Sequence, residues 1–82
     1  MTLTSLFKAG PGGVMTDDVG VVTGDLELRT TLAEDGAVTV EVRYEGADEW
    51  YRLSAADCRL ADPKDHEPVH NALHGVLNRP EG

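Results

Sequence analysis

Hydrophobic and polar residues alternate through most of residues 25–53. Leu26, Leu28, Thr30 and Leu32 are interleaved with Glu27, Arg29 and Thr31. Val38, Val40, Val42 and Tyr44 are interleaved with Thr39, Glu41 and Arg43, and Tyr51 and Leu53 with Trp50 and Arg52. Side chains of a strand point alternately to its two faces, so this pattern predicts three half-buried antiparallel strands. Their registers follow from the need to keep one apolar face. A three-residue connection, Glu34–Asp35–Gly36, sets Leu32 against Val38, Leu28 against Val42 and Leu26 against Tyr44. A shorter turn would put the two apolar sets on opposite faces. This is a type I turn closed by a left-handed glycine at Gly36. For the next hairpin, a two-residue turn at Gly46–Ala47 of the II′ type sets Val42 against Tyr51 and Val40 against Leu53.

The pattern changes period toward the C-terminus. From Pro68 onward, Val69, Ala72, Leu73, Val76 and Leu77 recur at helical spacing and form one apolar stripe, and Pro80 ends the run. Ser54–Ala55–Ala56–Asp57 has the form of a capping box and predicts a short helical turn to about Leu60. Val19, Val21 and Val22 suggest a further short strand. Upstream, Lys8–Gly13 reads KAGPGG, a composition of flexible connectors. The expected organisation is a flexible segment over residues 1–13 and a single domain over 14–82.

These elements define an α+β protein: a small antiparallel β-meander of three to four strands with a C-terminal α-helix packed on one face. A strongly bent, SH3-like barrel with an appended helix is the alternative architecture. One short helix cannot cover a broad sheet, so an apolar margin or a free strand edge is expected, which would favour a homodimer.

Composition narrows the partners. The chain has 82 residues, 7 basic and 15 acidic, for a net charge of −8. Such a chain is repelled by phosphate backbones and anionic lipid, so neither nucleic acid nor a membrane is an expected partner. No stretch has the length of a transmembrane segment. The single cysteine, Cys58, has no disulfide partner, which predicts a cytoplasmic protein with Cys58 as a buried or half-buried structural thiol. The excess of Arg over Lys, with plentiful Ala, Gly, Val and Asp, fits a GC-rich bacterial genome.

The polar face of the predicted sheet carries one candidate surface. Arg29, Glu41 and Arg52 line up across the strands, as do Glu27, Arg43 and Trp50. Such ladders stabilise a solvated face, but a tryptophan among arginines is also the composition of an interaction hot spot. Trp50, Arg43, Arg52 and Arg29 are therefore candidate contact residues.

The second candidate is the run HEPVHNALH at residues 66–74. Its first five residues satisfy H-E-x-x-H, the pattern of many zinc peptidases, which needs both histidines on one helical face. Pro68 disfavours a helical Glu67, which would leave His66 outside the helix and off the face of His70. The longer form of that pattern would require glycine and histidine where Leu73 and Val76 stand, so a peptidase centre is not expected. His70 and His74 remain as a pair one turn apart at the margin of the apolar stripe. They could pack at the boundary with water. Alternatively, with His66, Cys58, Asp62 or Asp65 as a further ligand, they could hold a divalent transition metal. No pattern for phosphate binding or nucleophilic catalysis is present. The expected function is non-catalytic, that of a protein-interaction or regulatory module needing no cofactor, with a small metal-binding protein as the alternative.

Overall fold

The alternation does produce a meander. In the computed structural model, which describes residues 1–80, strands β1 (Thr2–Thr16), β2 (Gly20–Leu32), β3 (Ala37–Tyr44) and β4 (Tyr51–Arg52) are neighbours in that order. A two-residue strand β5 (Cys58–Arg59) also pairs with β3, and all pairings are antiparallel. Helix α1 (His66–Leu77) packs on the inner face. Glu81 and Gly82, the end of the domain expected over 14–82, lie outside the described residues. Among the described residues no helix is long and apolar enough to cross a membrane.

The central registers match the pattern. Leu26, Leu28 and Leu32 face Tyr44, Val42 and Val38, and Val42 faces Tyr51. Gly36 has φ +91°, and its N–H donates to the Ala33 carbonyl at 3.0 Å. A side chain at that position would also meet the Leu60 carbonyl. The next connection differs from the expected tight turn. Its turn spans Tyr44–Ala47, closed by the Ala47 N–H on the Tyr44 carbonyl, and pairing resumes only at Tyr51. Arg43 accounts for the widening, because its guanidinium donates to the Ala47 carbonyl at 2.9 Å and holds the loop over the outer face.

The N-terminal segment departs furthest from expectation. Residues 1–13 do not form a flexible connector: Thr2–Thr16 is the longest strand of the molecule. Val19–Val22 is likewise no separate short strand, since β2 runs without interruption from Gly20. Phe7, Ala9, Val14 and Val22 enter the core beside Leu26, Leu28, Val38, Val40, Val42 and Leu53. The glycines act as a bend rather than a tether. Between the pairs Ala9–Gly24 and Val14–Val22, residues 10–13 of β1 stand opposite Thr23 alone. This enlarged bulge turns the end of the hairpin sharply. Gly13 sits at φ +59° where a Cβ would lie 2.5 Å from the Val22 carbonyl oxygen, so only glycine fits.

The bend carries the hairpin tip across to β4. The Asp17 N–H donates to the Arg52 carbonyl at 2.9 Å. The Asp18 carboxylate accepts the Arg52 N–H at 2.7 Å, and that of Asp17 accepts the Ser54 N–H at 3.3 Å. The sheet therefore curls until its two margins meet. Ser54–Ala56 forms a 3-10 turn rather than a longer helix. Asp57 then fills a gap on the β3 edge, its carboxylate accepting the Val40 N–H at 2.9 Å and the Arg52 guanidinium at 2.7 Å. Cys58, in the marginal strand β5, is exposed and not buried.

Gly13→Ala is expected to cost about 3 kcal/mol, from left-handed strain plus overlap with β2. Gly12→Ala, with φ +93° but open space around it, should cost about 1 kcal/mol. Urea unfolding of both variants measures the difference, and equal losses would refute the close approach at Gly13.

Candidate functional site

Two groups of side chains stand out, one on each face of the sheet. On the inner face, polar residues occupy positions that the alternation assigns to the core. Thr30, on the buried face of β2, is fully enclosed, and Ser5 of β1 is partly so. Helix α1 turns its histidines onto them. His66 is 0% exposed and His70 4%. The Thr30 Oγ1 lies 2.8 Å from His66 Nε2 and 2.7 Å from His70 Nδ1, and His70 Nε2 lies 2.9 Å from Ser5 Oγ.

The helix begins earlier than the sequence suggests. Pro68 falls in the first turn, where backbone N–H groups have no partner within the helix, so its missing donor breaks no bond. A preceding 3-10 turn, Pro63–Asp65, capped by the Asp62 side chain, leads into it. His66 and His70 consequently share one face, contrary to the expectation that Pro68 separates them. The inward stripe is His66 and His70, both buried, with Leu73 and Leu77 partly buried, while Ala72 and Val76 of the expected stripe are exposed.

A threonine hydroxyl has one proton to give and two lone pairs to offer. The assignment that leaves no buried N–H unpaired has His66 Nε2–H donating to Thr30 Oγ1, Thr30 donating to His70 Nδ1, and His70 Nε2–H donating to Ser5. His66 Nδ1 is then a bare lone pair, and it is the one buried side-chain nitrogen or oxygen without a partner among the described residues. This network is built for neutral imidazoles. Burial first, then the charges of His66 and His74, hold His70 below the usual histidine range.

His74 behaves differently. Its ring stands edge-on to Phe7, with centroids 6.4 Å apart, and its Nε2 donates to the Leu6 carbonyl at 2.9 Å. Of the histidines considered for a metal site, two are engaged elsewhere: both ring nitrogens of His70 meet hydroxyls, and His74 caps a strand edge, while His66 keeps a buried Nδ1 without a partner. Cys58 is exposed on β5 and is not part of this network. Among the described residues, no group of three or more His, Cys, Asp or Glu side chains is disposed to hold a metal ion.

On the outer face, Trp50 lies under two guanidinium groups. Arg29 sits 3.9 Å and Arg43 4.5 Å from the ring centroid. Each arginine is neutralised by a cross-strand carboxylate, Arg29 by Glu41 at 2.8 Å and Arg43 by Glu27 at 2.7 Å. Arg52, expected beside Trp50, instead pairs with Asp57 at 2.7 Å. Three of the four candidate contact residues are therefore assembled, and the fourth braces the turn.

Beside Trp50 the surface changes character. The hairpin end exposes Met15, Val19 and Val21, at 64%, 52% and 49%. Met15 and Val21 are directly paired across the hairpin. Between the hairpin turn and the chain entering β4 lies a cleft of about 380 Å³, lined by Asp18, Val19, Glu49, Trp50, Tyr51 and Arg52. Sequence reasoning missed this site. Its signal was available in Met15, Val19 and Val21, which flank the acidic pair Asp17–Asp18, but their outward direction depends on the bulge.

No protein-family model matches the chain, and no curated protein and no solved structure shows significant similarity to it.

Thr30→Val keeps the side-chain shape and removes the shared hydroxyl. It is expected to cost about 2–3 kcal/mol, since both imidazoles lose a buried partner, and chemical denaturation measures it. The same network sets a pH dependence. His70 titrates lower in the folded chain than near 6.5 in the unfolded one, so the unfolded state takes up the proton first. Stability is complete above that unfolded value and declines as pH falls below it toward the lower folded value. Thermal melts between about pH 7.5 and about pH 5 should show this decline, and a His70→Gln variant should show less of it. An identical slope in the variant would remove His70 as its source.

Proposed function

We propose that this chain is a small, non-catalytic protein-interaction module, acting in the cytoplasm, whose working surface is the hairpin end together with the Trp50 cleft. The observation that carries the reading is the exposure of Met15 and Val21, paired across one hairpin, together with Val19 at its turn. A soluble chain gains nothing in its own stability from three large apolar side chains turned to water on one hairpin, and contiguous patches of this kind mark association surfaces. The surface is also rigid. The bulge fixes the hairpin, Asp17 and Asp18 pin its tip to β4, and two neutralised arginines hold the indole. A preformed surface loses little conformational freedom on binding.

The paired arginines give Trp50 a structural share as well. Each guanidinium–indole contact is worth roughly 0.5–1 kcal/mol at a partly exposed site. Trp50→Ala should therefore lower stability by about 1–2 kcal/mol while leaving the chain folded, as measured by denaturant titration. The decisive comparison uses Met15→Ser/Val21→Ser. This double variant is expected to keep the thermal midpoint within a few degrees, about the change expected of exposed positions. It should also lose the proteins that the unaltered chain retains from a lysate of its source cells, compared by mass spectrometry. Retention of the same set by the variant would refute the hairpin end as the working surface.

A further inference from the structure

We propose that the cleft beside the hairpin turn receives a basic segment of a partner protein, with one lysine or arginine side chain directed at Asp18 and Glu49 and neighbouring apolar residues laid on Met15, Val19 and Val21. The inference rests on the interaction-module reading and adds the chemistry of the partner.

Three features of the cleft support it. First, its local charge is acidic. Asp18 and Glu49 both line it, and the one cation there, Arg52, is bound at 2.7 Å by Asp57. Arg29 and Arg43, which lie against the indole, are each spent on a glutamate. Asp18 uses Oδ2 for the Arg52 N–H, and a carboxylate oxygen has further lone pairs to offer. Glu49 stands beside the Tyr51 hydroxyl, and its hydrogen bond first, then desolvation, push that phenol above its usual value, with a smaller push from the charge of Asp18. Second, the walls are aromatic. Trp50 and Tyr51 provide surface for the methylene stem of a long basic side chain while its head reaches the carboxylates. Third, the cleft and the apolar patch are continuous, because Val19 belongs to both.

Charge complementarity decides among occupants. The chain carries −8, so a second copy would bring like charge against these carboxylates. Nucleic acid and anionic lipid meet the same repulsion. A basic, partly apolar segment is attracted by the whole molecule and matched by the cleft in particular.

Trp50 is the sole tryptophan and lines the cleft, so its fluorescence reports occupancy. The probes are a synthetic peptide alternating arginine with leucine and its counterpart with glutamate in place of arginine. The arginine peptide should produce a saturable change that weakens as salt rises from about 0.05 M to about 0.5 M, and the glutamate peptide none. Asp18→Asn/Glu49→Gln should weaken binding roughly tenfold; the asparagine oxygen still accepts the Arg52 N–H, and Glu49→Gln alone gives a second reading should the pair fold poorly. Asp65→Asn/Glu67→Gln, which removes equal charge at the exposed start of α1, should leave the affinity unchanged. Equal weakening by both double variants would reduce the effect to bulk charge and overturn the proposal. So would absence of saturable binding, or equal binding of the glutamate peptide. If the peptide fails while Met15→Ser/Val21→Ser still abolishes capture from lysate, the basic occupant is refuted and the interaction surface stands.

Discussion

Everything distinctive about this molecule depends on the bend in its first hairpin. A straight hairpin of this length would run past the sheet and leave its far half without a core. The glycines at 10, 12 and 13, with Gly13 pressed against the Val22 backbone, let one strand serve two purposes. Its first half lies beneath the helix and contributes Ser5, Phe7 and Ala9 to the inner face. Its second half swings over to β4, contributes Val14, and seats Asp17 and Asp18 on the Arg52 and Ser54 backbone. The cleft next to Trp50 exists only because the tip arrives there.

The two faces of the sheet handle their polar groups in different ways. Inside, where an unpaired polar group is costly, the hydroxyls of Thr30 and Ser5 and the rings of His66 and His70 satisfy one another almost completely. That closed network fixes the rotation and position of α1 more narrowly than aliphatic contacts alone could, because each hydrogen bond has a direction. Outside, charge is neutralised pair by pair across the strands, and the indole lies over the result. The inner arrangement leaves the imidazoles little freedom to act on anything else. The outer one leaves an open cleft with uncompensated carboxylates.

The strands and registers of residues 25–53 were legible because alternation and turn chemistry constrain each other: only one loop length keeps Leu28 and Val42 on a common face. The helix was legible as an element, but its orientation was not. Its apolar stripe pointed to Ala72 and Val76, whereas the sheet offered hydroxyls that imidazoles could satisfy. The clue was present in Thr30, standing in phase with Leu26 and Leu28, and in Ser5, standing in phase with Leu3 and Phe7. Pairing those in-phase polar positions with the histidines would have required knowing that Pro68 sits in the first turn, where it is harmless. The N-terminal strand was obscured for a local reason, since KAGPGG has the same composition whether it tethers or bends. The cleft was illegible because its lining comes from separate stretches brought together by that bend, although Trp50, Arg29 and Arg43 were identifiable from register alone.

The C-terminal end of α1 does more than finish a helix. His74 bonds the Leu6 carbonyl, the Asn78 side chain accepts the Lys8 N–H, and the Arg79 N–H donates to the Lys8 carbonyl. These are groups on the outer rim of an edge strand, the kind of exposed backbone to which a foreign strand can add. Docking of the helix and protection of that rim are therefore one event. A molecule whose helix has lifted presents an open template before the rest of its sheet has come apart. Lifting of the helix would release the Leu6 and Lys8 backbone groups to any extended segment that reached them.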